Sequence, residues 1–212
     1  RHAVEDAYDD GLDYLELRYS PWFVASQTGL DPRAIAEAVA AGVREASART
    51  IPVGLIGIVV RNFGAESAEA QMDVVLETAE DWCGVDLAGD EAGFPAADFA
   101  PAFRRARDAG LHVTIHAGEA AGPESVIAAI DELGAERIGH GVRSAEDPRL
   151  LERLAERGTT LEVALTSNTQ TRASRSIAEH QVRALLDAGV RAALSTDNPT
   201  TSGTRLSEEY RR

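Results

Sequence analysis

The sequence predicts a parallel α/β fold of the TIM (β/α)8 barrel kind, and three observations predict it. About seven short apolar or alternating stretches read as strands, each followed by a helical stretch, at intervals of roughly 25 to 40 residues. No GxGxxG loop follows any of them, which argues against the doubly wound open sheet that would share this rhythm. Polar residues gather at the strand ends, where a (β/α) barrel carries its chemistry. No Ser/Gly-rich linker or low-complexity tract interrupts the series, so residues 1–212 are expected to form a single, partial barrel domain.

Residues 1–10 read as the middle of an amphipathic helix with no start signal ahead of it, so the chain is expected to be an internal piece. YLELRY (Tyr14 to Tyr19) alternates as a strand, and Ser20-Pro21 stops it. Asp31-Pro32 opens a helix, with Asp31 as its cap and Ile35, Ala38, Val39 and Val43 along one side. Pro52 to Arg61 is an almost unbroken apolar run rich in β-branched residues, the signature of a strand covered on both faces. Ala65 to Ala79 has helical composition, Val85 to Glu91 is the next strand, and Phe99 to Ala109 is a helix stopped by Gly110.

Leu111 to Glu119 (LHVTIHAGE) follows as a strand, with Leu111, Val113 and Ile115 on one face and His112, Thr114 and His116 on the other. Gly118 lets the chain turn, which brings Glu119 toward His116. Pro123 to Leu133 is a helix, Glu136 to Val142 a short strand with His140, and Asp147-Pro148 begins a helix that closes at Gly158. Thr159 to Leu165 is a strand leading into Thr166-Ser167-Asn168; Ala178 to Ala188 is helical, and Val190 to Ser195 is the last strand, ending in Thr196-Asp197-Asn198-Pro199. An eight-stranded barrel needs one strand more, and the missing one would precede Tyr14.

Composition narrows the function. A formal charge of -14 repels a nucleic-acid backbone or an anionic membrane, and no basic patch offsets it. Arg104, Arg105 and Arg107 fit the solvated side of a helix. A single cysteine, Cys83, excludes an intrachain disulfide and any multi-cysteine zinc site, and points to a reducing, cytoplasmic setting. Leu55 to Val60 is too short to span a bilayer.

Taken singly, each polar strand end has a structural explanation: Asp197 can cap the next segment, His140 between two glycines can fill a turn, and Asp90 can be a solvated loop acid. Their joint placement at successive strand ends points to chemistry. Imidazole and carboxylate from different strands suit a divalent metal, foremost zinc, which ionises water near pH 7. A second histidine can orient or deprotonate that water, and a carboxylic acid can protonate a nitrogen. His116 and Asp197 are two ligands where a catalytic zinc takes at least three, and the sequence contains no His-x-His. Glu16, Arg18 and Glu162 are expected to face the interior and to be paired in a structural network.

DLAGDE (Asp86 to Glu91), TIHAGEAAGPES (Thr114 to Ser125), ERIGHGV (Glu136 to Val142), LTSNTQT (Leu165 to Thr171) and STDNP (Ser195 to Pro199) resemble, in order and spacing, the bacterial adenosine deaminases. With YLELRYSP (Tyr14 to Pro21) the likeness covers nearly the whole chain. It implies a zinc-dependent (β/α)8 barrel of the amidohydrolase, metal-dependent hydrolase type that converts adenosine and deoxyadenosine to the inosine forms with release of ammonia. It implies His116 and Asp197 as zinc ligands, Glu119 as the acid that protonates purine N1, and His140 as the histidine that positions and helps deprotonate the zinc-bound water. It implies Gly89 as a backbone contact to purine N3. Where the family has an acid at purine N7, this sequence has Asn198, whose amide can donate to N7 without first being protonated.

The family's first strand carries a His-x-His pair and its C-terminus extends some tens of residues further, so the resemblance implies a barrel lacking strand one and the C-terminal helices. The isolated chain is accordingly expected to bind zinc poorly and to turn over slowly or not at all. The alternatives are a deaminase of adenine or another 6-aminopurine, or a non-catalytic fragment. The cytidine-type zinc deaminases are disfavoured, because their His-x-Glu and Pro-Cys-x-x-Cys pattern has no counterpart here. The expected partner is a small-molecule purine nucleoside, and neither nucleic acid nor membrane.

Overall fold

The computed structural model describes all 212 residues, which fall into two compact units: Arg1–Gly89 with Asp98–Val113, and Asp90–Ala97 with Thr114–Arg212. No helix is long and apolar enough to cross a membrane.

The first unit runs α1 (His2–Asp9), β1 (Leu15–Tyr19), α2 (Pro21–Thr28), α3 (Pro32–Ser47), β2 (Val53–Val60), α4 (Ala65–Glu77), β3 (Gly84–Ala88) and α5 (Ala100–Asp108). Strand order is β1-β2-β3. All pairing is parallel, with Leu15 opposite Val53, Tyr19 opposite Gly57, and Val60 opposite Ala88. The apolar run expected to be covered on both faces is so covered in its middle, where consecutive residues Leu55 and Ile56 are both buried. Arg18, one of the charges expected to be paired inside, finds its partner in Asp86: Nη1 lies 3.0 Å from Oδ2, and the Asp86 side chain is fully buried. An uncompensated carboxylate there would cost several kcal/mol, so the pair is obligatory once Asp86 is inside.

Two elements differ from expectation. Ser20-Pro21 ends β1 but also starts a helix, α2, in which the Ser20 hydroxyl accepts from the Phe23 amide at 3.1 Å and Pro21 occupies the first turn. In α3 the Asp31 cap is as expected, accepting from the Ala34 amide at 3.0 Å, but the buried stripe is Ile35, Ala36, Ala40, Val43 and Ala46. Ala38 is exposed, because the 3.6-residue period carries it off the face that Ile35 and Val43 define. On α5, Arg104 and Arg107 are exposed, while Arg105 forks to Glu69 at 2.5 Å and Asp73 at 2.6 Å on α4.

The second unit contains β4 (His112–Ala117, whose first two residues belong to the first unit), α6 (Pro123–Asp131), β5 (Arg137–His140), α7 (Pro148–Arg157), β6 (Thr160–Val163), α8 (Leu165–Gln170), α9 (Val182–Asp187), β7 (Arg191–Leu194), α10 (Pro199–Ser202) and α11 (Leu206–Glu209). Strand order is β4-β5-β6-β7, again all parallel. Ile115, Val126, Ile138, Leu154, Leu161 and Leu185 form the fully buried apolar centre. Glu162 accepts from the Thr114 hydroxyl at 3.3 Å and pairs with Arg137 Nε at 2.9 Å, the network expected for an inward-facing acid. α9 is shorter than the helical stretch read from the sequence. Residues 178–181 lie outside it because the His180 ring, not the helix, receives the Val182 amide.

Candidate active site

The site is assembled within the second unit, at the C-terminal ends of its strands. β4 is buried on both faces through its middle, Val113 and Ile115 on one and Thr114 on the other, while His116 stands partly exposed at the strand end. In the β4–β5 register His116 lies opposite Gly139. A Cβ on Gly139 would stand 3.2 Å from His116 Nδ1, so the missing side chain makes room for the imidazole. Gly118 then turns the chain at φ 70°, and a Cβ there would meet Val126 Cγ2 at 2.6 Å.

The loop after that turn is held by a carboxyl group. Glu91, nearly buried at 6% exposure, accepts four consecutive backbone N–H groups, from Gly118 (2.5 Å), Glu119 (3.1 Å), Ala120 (2.7 Å) and Ala121 (3.0 Å). Four backbone amide dipoles converge on this one carboxyl group, and these bonds fix the backbone that carries Glu119. The Glu119 side chain accepts from the Thr171 hydroxyl (2.8 Å) and the Asn168 amide (3.4 Å) at Oε1, while its Oε2 lies 3.4 Å from His140 Nε2.

His140 ends β5 at φ 64° and is buried to 3% exposure. Asp197, after β7, sits at φ 55°. Of the three non-glycine residues at positive φ, these are two, and such backbone strain collects where geometry serves function. The rings of His116 and His140 meet edge-on, centroids 5.1 Å apart at 66°. Ligand atoms of His116, His140 and Asp197 all lie within 4.8 Å of one another, a separation at which one cation can be shared. The Ser167 hydroxyl donates to Asp197 Oδ2 at 2.8 Å and orients that carboxylate.

Four of the six residues singled out from the sequence, His116, Glu119, His140 and Asp197, are thus brought together. Asn198 is the N-cap of α10: its Oδ1 accepts the Thr201 amide at 2.9 Å, which leaves Nδ2 as the half able to donate elsewhere. Gly89 belongs to the first unit, where it ends β3 at φ 111° and lies against Asn62, whose Oδ1 would be 2.2 Å from a Cβ. It borders a cavity of about 620 Å³ lined by Phe23, Ile58, Val60, Phe63 and Ala88.

Sequence reading missed the residues that hold the site rather than face it: Glu91, Ser167, Asn168, Thr171 and His180. Glu91 had only its position in DLAGDE as a signal, and Ser167, Asn168 and Thr171 theirs in LTSNTQT, while His180 lies in neither motif and had none; a carboxylate that accepts backbone amides has no periodicity to betray it.

Fold and site together define a class, the amidohydrolase type of (β/α) barrel. The adenine deaminase of Arthrobacter aurescens superposes with a TM-score of 0.94 at 27% identity, over 99% of this chain and 64% of that one. A Burkholderia ambifaria amidohydrolase with bound zinc superposes at 0.92, also at 27% identity, over 99% and 59%. The expectation of a partial barrel is borne out, with seven of its parallel strands present. The adenosine deaminase family model matches residues 1–212, and the adenosine deaminase of Klebsiella pneumoniae is 49% identical over 208 residues. The chain belongs to the adenosine deaminase family. It spans 62% of the length of that relative.

Proposed function

We propose that the full-length protein carrying this chain catalyses hydrolytic deamination of adenosine and deoxyadenosine, with release of ammonia. The observation that carries the reading is the convergence of Glu119, His140, His116 and Asp197 within one compact unit, in a chain of this family. Imidazole nitrogen with carboxylate oxygen is a donor set that suits zinc. His116 and Asp197 would hold the metal. His140, whose Nδ1 is engaged by Asn168 at 3.0 Å and whose Nε2 faces Glu119, is suited to handling protons. When bound, zinc supplies Lewis acidity that lets water ionise near neutral pH.

The chain's own groups then have distinct tasks. Glu119, as the carboxylic acid, would donate to purine N1, which draws electrons from C6 and opens it to attack by water. His140 would orient the attacking oxygen and move its proton, and ammonia leaves as the C6–N bond breaks. The Asn198 amide would donate to N7 and the Gly89 backbone would meet N3. A role in purine salvage in the cytoplasm, with a neutral nucleoside and neither nucleic acid nor membrane as partner, accords with the charge of -14 and the single cysteine.

Deamination of adenine itself is the second reading, favoured by the likeness to the Arthrobacter enzyme. Turnover of adenosine, deoxyadenosine and adenine by the zinc-loaded full-length protein, followed by ammonia release, separates them. Adenosine is expected to give the highest kcat/KM; a higher value for adenine would move the assignment to the base, and no turnover of any 6-aminopurine would end both readings.

A further inference from the structure

We propose that Glu209, which follows Asp197 in the chain, is a positioning residue for the reaction: through α8 it sets the aim of two carboxyl groups of the site, those of Glu119 and Asp197. The inference rests on the roles given to those two residues above. Its starting point is a helix that cannot hold itself. α8 is only six residues long, and its N-cap residue, Ala164, has no side chain able to accept the amides of the first turn.

The cap is supplied from elsewhere. Glu209, on α11 and buried to 1% exposure, accepts the Thr166 N–H at Oε2 (3.1 Å) and the Thr166 hydroxyl at Oε1. Oε1 also accepts the Thr204 hydroxyl at 2.8 Å, and Arg212 Nε lies 3.7 Å from it. The other end of α8 is held from the same stretch of chain, where Gln170 Nε2 donates to the Ser202 carbonyl at 3.0 Å.

Both carboxyl groups of the site receive donors from the helix so held. Ser167, next after the residue that Glu209 grips, donates to Asp197 Oδ2 at 2.8 Å. The Asn168 amide (3.4 Å) and the Thr171 hydroxyl (2.8 Å), which lies just past the helix, donate to Glu119 Oε1. Ser167 and Asn168 are buried, so a donor swung out of place there is not replaced at once by water. Loss of the cap frays the first turn and carries the shift straight to both donors, and a misplacement of about 1 Å can cost a factor on the order of 100 in rate.

The test compares E209A, E209Q and S167A in the full-length protein by three measurements: zinc affinity in competition with a chelator, kcat and KM for adenosine, and amide hydrogen exchange over residues 165–171. E209A is expected to speed exchange over α8, to weaken zinc binding about 10-fold and to lower kcat about 10- to 100-fold, as losses of orienting partners do, with KM changed less than kcat. In E209Q the amide oxygen can keep the Thr166 N–H while the two threonine hydroxyls turn to accept from its NH2, so all three readouts are expected near wild type. S167A is expected to weaken zinc binding as E209A does, and E209A added to S167A to cost little more, because the two act on Asp197 in series. A residue that only stabilises the fold would lower the thermal midpoint and leave zinc affinity and kcat, measured well below that midpoint, at wild-type values. That result, or additive zinc losses in the double variant, would overturn the proposal. Should E209A fail to fold, E209D, which withdraws the carboxyl group by one methylene, is expected to move the readouts in the same direction, and a folded E209D with unchanged zinc affinity and kcat would overturn it equally. Turnover of no 6-aminopurine by the wild type would instead remove the deaminase reading, and zinc affinity and exchange would still decide for or against Glu209.

Discussion

A single carboxylate, Glu91, does more to shape this site than any residue that faces it. Its four amide bonds span the turn that carries Glu119, and replacing one carboxylate oxygen by an NH2 group sets donor against donor in a nearly buried place. E91Q is expected to cost about 2–3 kcal/mol of stability in urea unfolding and to lower kcat as Glu119 loses its fixed position. His180 makes a prediction of opposite chemical sense. Because burial lowers its pKa below the ordinary imidazole value, the unfolded chain takes up a proton more readily than the folded one. The stability this residue protects is complete above about pH 6.5 and is lost as pH falls through that value toward the lowered folded pKa. Unfolding of wild type and H180F between pH 7.5 and 5 checks this, and the difference between the two is expected to shrink on the acid side.

The elements were legible where local chemistry decides them. Asp147-Pro148 and Gly158 bracket α7 as read, with Asp147 Oδ1 accepting the Arg149 amide at 2.9 Å and Gly158 in the left-handed region at φ 71°. D147A is expected to cost about 1 kcal/mol in thermal unfolding. What could not be read was whatever depends on contacts distant in sequence. Ser20-Pro21 reads equally as a stop and as a cap, and in the fold it is both, ending β1 while the Ser20 hydroxyl accepts the Phe23 amide to open α2. Leu165 to Gln170 lacks the apolar period of a helix, yet forms α8, whose first turn is held by the buried Glu209 carboxylate accepting from the Thr166 amide at 3.1 Å and from its hydroxyl. The pairing of His116 with Gly139 is likewise a matter of register. G139V is expected to crowd the imidazole and to weaken zinc binding by about 10- to 100-fold with little change in far-ultraviolet circular dichroism.

For the molecule as a whole, charge and metal set the expectations. A chain at -14 offers no electrostatic steering to a phosphorylated ligand, whereas a neutral nucleoside is indifferent to the field. KM for adenosine is therefore expected to change little between low and high salt. A metal that binds only the folded state raises its thermal midpoint by mass action, so chelation is expected to lower the midpoint of the full-length protein, and H116A to abolish the difference.

In the second unit each strand pairs with its predecessor in the chain, β5 on β4, β6 on β5 and β7 on β6. Growth during synthesis can accordingly proceed one hairpinless layer at a time, each finding its template already made. A nascent polypeptide released as far as Gln170 owns both imidazoles and the acid at position 119, but lacks the hydroxyl of Thr171, the imidazole at 180 and the carboxylate at 197. The three side chains whose ligand atoms lie within reach of one cation are therefore together only once the last of these strands has emerged and turned.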